Sequence, residues 1–350
     1  MTTQTNAETV RPATEATTYR RSWSAAILRR ELLLLIVMVA IVLASIAHHP
    51  YFWSSRNIAF ILADSMVITF LALGETFVLL SRGVDLSIAP IMGLSACIVG
   101  FRAQDHGMTL LPAVFLGALV GLALGLGNAL LVAVLRLPPI IATLGTLSVY
   151  GGLQFVVTGG RQVDHVPTQY TDLGSETLAW GIPTILLIGC AAVLVTAVLL
   201  RHTTFGRSVY ATGNDLEAAY RAGIRTQRVI FVCYLICGLF AGLAGVIYLM
   251  RTGSAVATTG TDTDANLNAI AAALIGGTAL TGGRGGAFGA IAGSVFLSLT
   301  LTAMVFAGIP AIWQPAGVGA AILIAVLADG KARRRNNTFR LGRVRLRRSS

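Results

Sequence analysis

Long uncharged runs dominate the chain, and short polar stretches separate them. Runs such as "ILLIGCAAVLVTAVLL" (185–200) and "IFVCYLICGLFAGLAGVIYLM" (230–250) hold no charge, and both are close to the roughly 20 residues that cross a bilayer as a helix. Read this way, the pattern predicts ten membrane segments, near 31–47, 57–80, 87–103, 109–135, 139–158, 182–200, 228–250, 266–281, 286–308 and 311–328. The fold class is therefore an all-α polytopic membrane protein with about ten transmembrane helices. The short Gly/Pro-broken pieces "RLPPIIATLG" (136–145) and "ALIGGTALTGGRGG" (273–286) fall in the two halves. Interrupted segments so placed suggest broken helices and inverted repeats around a translocation path. One stretch breaks the pattern. "TTFGRSVYATGNDLEAAYRAGIRTQR" (203–228) is polar and helix-like, with four arginines in 26 positions.

Composition fixes the solvent. Of the 350 residues, 55% are hydrophobic and 12% charged, with a mean hydropathy of +0.75, and that charge is about half the soluble average. The 38 glycines suit helices that approach closely in lipid. The organisation is a polar, disordered cytoplasmic lead (1–30), a transmembrane domain (31–330) and a basic cytoplasmic tail (331–350). Within the membrane domain lies one long cytoplasmic loop, 201–228. The lead is too long and irregular for a signal peptide.

The net charge of +11 points to topology, not to nucleic acid. Nine of the 26 basic residues lie in "KARRRNNTFRLGRVRLRR" and five lie in the first 30 positions. With both termini cytoplasmic and ten spans, only Arg56, Arg102, Arg161 and Arg251 fall outside, leaving 22 of 26 inside, as the positive-inside rule requires. An odd count would strand the tail. The basic tail also suits contact with anionic lipid.

Several chemistries are excluded. Lys331 is the one lysine and is followed by Ala332, so no G-x-x-x-x-G-K-[ST] phosphate loop exists. Cys97, Cys190, Cys233 and Cys237 lie in apolar runs without the second pair or the histidines of a zinc site. They read as packing residues, and no metal site is expected. No histidine lies inside the membrane to serve a buried serine nucleophile. The chain is not an enzyme, and no catalytic residue is assigned.

A few ionisable groups remain in apolar surroundings. Asp64 and Glu75 lie in the second segment and Asp85 opens the third. Buried carboxylates in membranes face a bundle or cavity. Glu75 reads either as a partner of Arg82 or as part of a transport path. Asp85 in "GVDLS" reads either as a helix N-cap or as a transport residue. "DLEAAYRAGI" (215–224) reads as a short helix with Ala218 and Ala219 on its surface, closed by a left-handed turn at Gly223. That is a compact knob suited to a groove on another protein, or else a solvated connector.

Four ordered stretches carry a family resemblance. "EAAYRAG" (217–223) resembles the E-A-A-x-x-x-G signature of ABC-importer permeases. "LGETFVLLSRGVDLSIAPIMGL" (73–94), "IIATLGT" (140–146), "FGRSVYATGNDLEAAYRAGI" (205–224) and "LNAIAAALIGGTALTGGRGG" (267–286) are similar to ribose-type sugar permeases. The chain departs from them at Ile88-Ala89, usually Val-Gly, and at Arg82, where a small or polar residue is common. The resemblance implies an inner-membrane permease for monosaccharides such as ribose. Its partners would be a two-domain ATPase, a periplasmic sugar-binding protein and a second permease copy or sister permease. ATP and Mg would be held by that ATPase, with no cofactor on this chain. Glu217, Ala218, Ala219 and Gly223 would mark the ATPase-coupling helix. Glu75, Asp85, Ser87, Thr143, Gly145, Thr146, Gly276, Gly277, Gly282 and Gly283 would mark the translocation path or family motifs. The alternative is a proton-coupled secondary transporter using Glu75 or Asp85, which needs no docking loop.

Overall fold

The computed structural model describes residue 32 and residues 34–178 and 182–323. The expected cytoplasmic lead (1–30) and basic tail (331–350) lie outside the described residues. Among the described residues, thirteen helices follow in order: α1 (Leu34–His48), α2 (Ser55–Leu80), α3 (Ile88–His106), α4 (Leu110–Ala129), α5 (Pro139–Thr158), α6 (Thr168–Ser175), α7 (Thr184–His202), α8 (Thr204–Asn214), α9 (Leu216–Arg221), α10 (Thr226–Thr252), α11 (Ala265–Ile275), α12 (Ala287–Phe306) and α13 (Gln314–Leu323). Extended pairing among them is limited to two isolated bridges.

Helices α2 and α10 form the centre. Ser54 starts α2 by accepting the Asn57 amide at 3.3 Å, which satisfies an otherwise orphaned donor. Against α10 lies α4, and glycines set the approach. A β-carbon on Gly125 would meet Gly238 Cα and Tyr234 O at 2.9 Å, and one on Gly121 would meet the Gly242 backbone at 2.8 Å. Backbones this close gain dispersion contacts that lipid cannot supply. Ser95 on α3 then donates to Gly242 O at 2.7 Å. In this way α3 is enclosed by protein, with Ile88, Ile91, Leu94, Ala96, Cys97 and Val99 fully buried.

Six helices are long and apolar enough to cross a membrane: α2, α4 with its π-turn (Leu110–Val134), α5, α7, α10 and α12. The expected eighth span, 266–281, is corrected. Its helix α11 has only 11 residues, about 16 Å at 1.5 Å per residue, roughly half the hydrocarbon thickness. A Schellman turn ends it, with Gly277 left-handed at φ +105°, Gly277 N–H donating to Leu274 O and Thr278 N–H to Ala273 O, and the glycine-rich loop follows. Broken-helix character is thus present at α11.

Polar contacts sort the two ends of the bundle. At one end Arg161 lies 3.4 Å from Asp105 and stacks over Phe101. Val163 pairs with Ala255, and Tyr170 Oη donates to Met108 O at 2.9 Å. Arg251 sits over the Phe60 ring at 4.2 Å and 4.0 Å from Asp64. At the other end are Arg82, the α8–α9 junction and the glycine-rich loop. Arg161 and Arg251 thus lie at the end of the bundle opposite Arg82.

Candidate coupling and translocation site

The site begins where α2 stops. Gly83 N–H donates to Val78 O at 2.9 Å and Arg82 N–H to Leu79 O at 3.0 Å, the paired bonds of a Schellman end. The left-handed residue of that motif is usually glycine, yet here it is Arg82, with φ +70°. A side chain in this conformation costs about 1–2 kcal/mol. Gly83 is required for a different reason: its β-carbon would meet Tyr234 Oη at 2.6 Å and Val78 Cγ1 at 2.8 Å.

Beyond the turn lies a buried polar network. Asp85 Oδ1 accepts the Ser87 amide at 2.9 Å and the Ser87 hydroxyl at 2.7 Å. Asn128 Nδ2, from α4, donates to Asp85 Oδ2 at 3.0 Å and to Ser87 Oγ at 2.7 Å. Beneath them Glu75 accepts the Asp85 amide on both oxygens, at 3.2 and 3.4 Å. Thr143 Oγ1 on α5 donates to Val84 O at 3.2 Å. Glu75, Asp85, Ser87, Asn128 and Thr143 are all fully buried. Asn128 Oδ1 has no partner among the described residues. Neither carboxylate has an ion pair among them.

The polar segment of the sequence docks against this turn. Arg82 Nε donates to Gly213 O at 2.8 Å and its Nη2 to Asn214 O at 2.6 Å. Those are the last carbonyls of α8, which have no intrahelical partner. Gly213 itself presses on Leu80 O and on the Gly283 backbone, and Gly283 N–H donates to Leu80 O at 3.0 Å. From α8, Tyr210 Oη donates to Gly285 O at 2.8 Å. A cleft of about 220 Å³ lies between Arg82, Gly213, Asn214, Thr281, Gly282 and Arg284.

Next comes α9. Asp215 caps it, accepting the Glu217 and Ala218 amides at 3.0 Å each. These bonds, Ala218 first, together with the Arg82 and Arg221 charges, hold the Asp215 carboxyl below its ordinary range despite some desolvation. At the far end Ile224 N–H donates to Ala219 O and Gly223 N–H to Tyr220 O, with Gly223 at φ +85°. Glu217 pairs with Arg221 one turn on, a surface pair of little energetic weight.

The structure brings together Glu75, Asp85, Ser87 and Thr143, and sets Gly282 and Gly283 beside the α8–α9 junction. Gly276 and Gly277 close α11 instead. Thr146 Oγ1 bonds within its own helix, to Thr143 O, and Gly145 faces open space. Three expectations are corrected. Glu75 does not pair with Arg82, because the guanidinium turns to the α8 carbonyls. Asp85 is not the N-cap of α3. Ser87 holds that position without a side-chain cap bond, and Asp85 serves the Ser87 amide one step earlier. Ala219 is not on the surface: it is 5% exposed, and Leu216 and Tyr220 provide exposed apolar area instead, Tyr220 at 70%. Asn128 escapes a reading of the sequence, although a lone amide inside "LGLGNALL" is a signal of a buried polar contact.

Six long apolar helices packed with shorter, glycine-rich elements define a multi-pass membrane protein. The family model for the permease component of the branched-chain amino acid transport system matches residues 57–327, and the chain belongs to that family. Among its relatives is the autoinducer 2 import system permease protein LsrC of Escherichia coli O9:H4 (strain HS). It is 35% identical over 300 residues, covering 86% of each chain. LsrC of Photorhabdus luminescens is 34% identical over 305 residues, covering 87% of this chain and 91% of the relative. No solved structure matches the chain. The expected ABC-importer permease family is therefore the right one. The protein is a multi-pass inner-membrane transport subunit.

Proposed function

We propose that this chain is the membrane-spanning permease subunit of an ATP-driven importer for a small, polyhydroxylated, sugar-like solute. Ribose-type monosaccharides and autoinducer 2, named for the relatives, are the two candidates. The bundle crosses the membrane in two related halves, with both termini cytoplasmic and α9 on the same side. ATP and Mg belong to a separate two-domain ATPase, and a periplasmic binding protein delivers the solute to the opposite end. A second permease copy or a sister permease completes the path. Glu217, Ala218 and Tyr220 face the ATPase, with Gly223 closing the helix behind them.

One observation carries this reading. A short, capped helix with Leu216 and Tyr220 exposed follows directly on the end of α8, which Arg82 anchors to α2 through the Gly213 and Asn214 carbonyls and Tyr210 ties to the glycine-rich loop. A solvated connector needs neither anchors nor an apolar tip. Affinity purification in mild detergent tests it. An ATPase and a binding protein should co-elute, and the binding protein should then take ribose or autoinducer 2 in direct titration. Tyr220→Asp should release the ATPase while the permease stays in the membrane. Retention of the ATPase by Tyr220→Asp would place docking elsewhere.

A further inference from the structure

Arg82 occupies the position in the α2 end where glycine is the residue without strain. Strained backbone persists where surrounding contacts fix it and often marks function. Here the fixing contacts are the two carbonyls that close α8, immediately before the Asp215 cap of α9. Among the described residues, both side-chain hydrogen bonds from the α2–α3 turn to the 203–228 segment come from Arg82. On its other side, the same turn touches the core. Val84 O is held by Thr143 of α5, the Asp85 amide by Glu75 of α2, and the Asp85 carboxylate by Asn128 of α4. Gly83 is backed by Tyr234 of α10.

We propose that Arg82 is a positioning residue that clamps the α8–α9 junction to the buried Asp85 turn, so that a displacement of α9 is passed to α2, α4 and α5. This rests on the reading of α9 as the ATPase-docking helix. A planar guanidinium suits such a clamp, because its fork bridges two adjacent carbonyls at once, and an ammonium does not reproduce that geometry. The site lies between the docking surface and the buried network, so its loss separates association from response.

The test uses the intact complex of permease, ATPase and binding protein, purified from the native host and placed in proteoliposomes. The readout is the rise in ATP hydrolysis when the binding protein is added. Arg82→Gly relieves the left-handed backbone while removing the clamp. It should keep the ATPase bound yet lower the rise about ten-fold, within the usual span of coupling between sites. Arg82→Lys should fall between Gly and Arg. A wild-type rise in Arg82→Gly would overturn the clamp, as would loss of the ATPase from that variant. Tyr220→Asp runs alongside: release of the ATPase there supports docking whatever Arg82 does. Retention there removes the docking reading, and the clamp with it.

Discussion

Two helix ends in this molecule share one hydrogen-bond pattern and differ in the residue that makes the turn. At the end of α9 the left-handed position is Gly223, exposed, with nothing within 4 Å of where a β-carbon would stand. At the end of α2 it is Arg82, with φ +70° and a guanidinium bound to Gly213 O and Asn214 O. Where the turn alone is required, glycine supplies it without strain. Where an arginine stands in the same conformation, the contacts it makes offset the strain, and those contacts connect two parts of the fold. The first end shapes a surface and the second joins one surface to the interior.

The largest predicted effect breaks that joint. In Gly213→Ala the new methyl group meets Leu80 O and Gly283 N, the latter at 2.5 Å, and both are backbone atoms that cannot swing aside. Overpacking against movable side chains costs about 1–3 kcal/mol, and rigid backbone sets the upper end here. The variant should lose thermal stability in detergent and most of its yield. A normal melting profile would mean that the α8–α2 contact is looser than these distances require.

A smaller effect separates the two ends. Gly223→Val places a β-branched residue in the left-handed conformation, at about 1–2 kcal/mol, in a helix of six residues. ATPase co-purification should fall markedly. Gly223→Asn should retain it, since Asn visits that region readily. Equal loss in both would show that the side chain's bulk at the surface matters, and not the turn.

Glu75→Gln sharpens the other end. Glu75 accepts the Asp85 amide, and glutamine keeps a carbonyl acceptor while removing the titration. ATP-dependent uptake in proteoliposomes should therefore survive, stop with vanadate and withstand collapse of the proton gradient. Gradient-driven uptake without ATP, abolished by Gln, would instead establish the proton-coupled carrier.

The contrast also explains what is legible in the sequence. The α9 end is legible: local rules place a cap before it and glycine after it, and both act within a few residues. The long apolar helices are legible for the same reason, since bilayer thickness dictates their length. The close approach of Gly276 to Gly289 is not, because it depends on how α12 packs on α11. Nor is the burial of Ala219, which needs the neighbouring elements. Arg82 stands out only as a departure from the family pattern; its partners lie more than 130 positions away. Asp85 is recognisable as a polar residue with a purpose, yet its second partner, Asn128, comes from across the bundle. Long-range polar pairing is set by tertiary packing, which no local period encodes.

The smallest predicted effect concerns the start of α9 and its dependence on pH. Two backbone amides hold the Asp215 carboxyl below its ordinary value of 3.8. A carboxyl whose folded value is depressed adds stability that is complete above the unfolded value and is lost as pH falls through the folded one. The cap should thus be insensitive between about pH 5 and 8, a range above ordinary carboxylate titration, and should weaken only below the ordinary value. Amide hydrogen exchange at Glu217 and Ala218, corrected for intrinsic rates and measured on the detergent-purified protein, would follow this directly. Asp215→Asn keeps an acceptor for the same amides and should remove the acid-dependent step. The carboxyl is fully exposed, so screening keeps the change local to the first turn of α9. Opening of these amides between about pH 5 and 8, in the wild type and in Asn alike, would show that a group other than Asp215 governs the start of the helix.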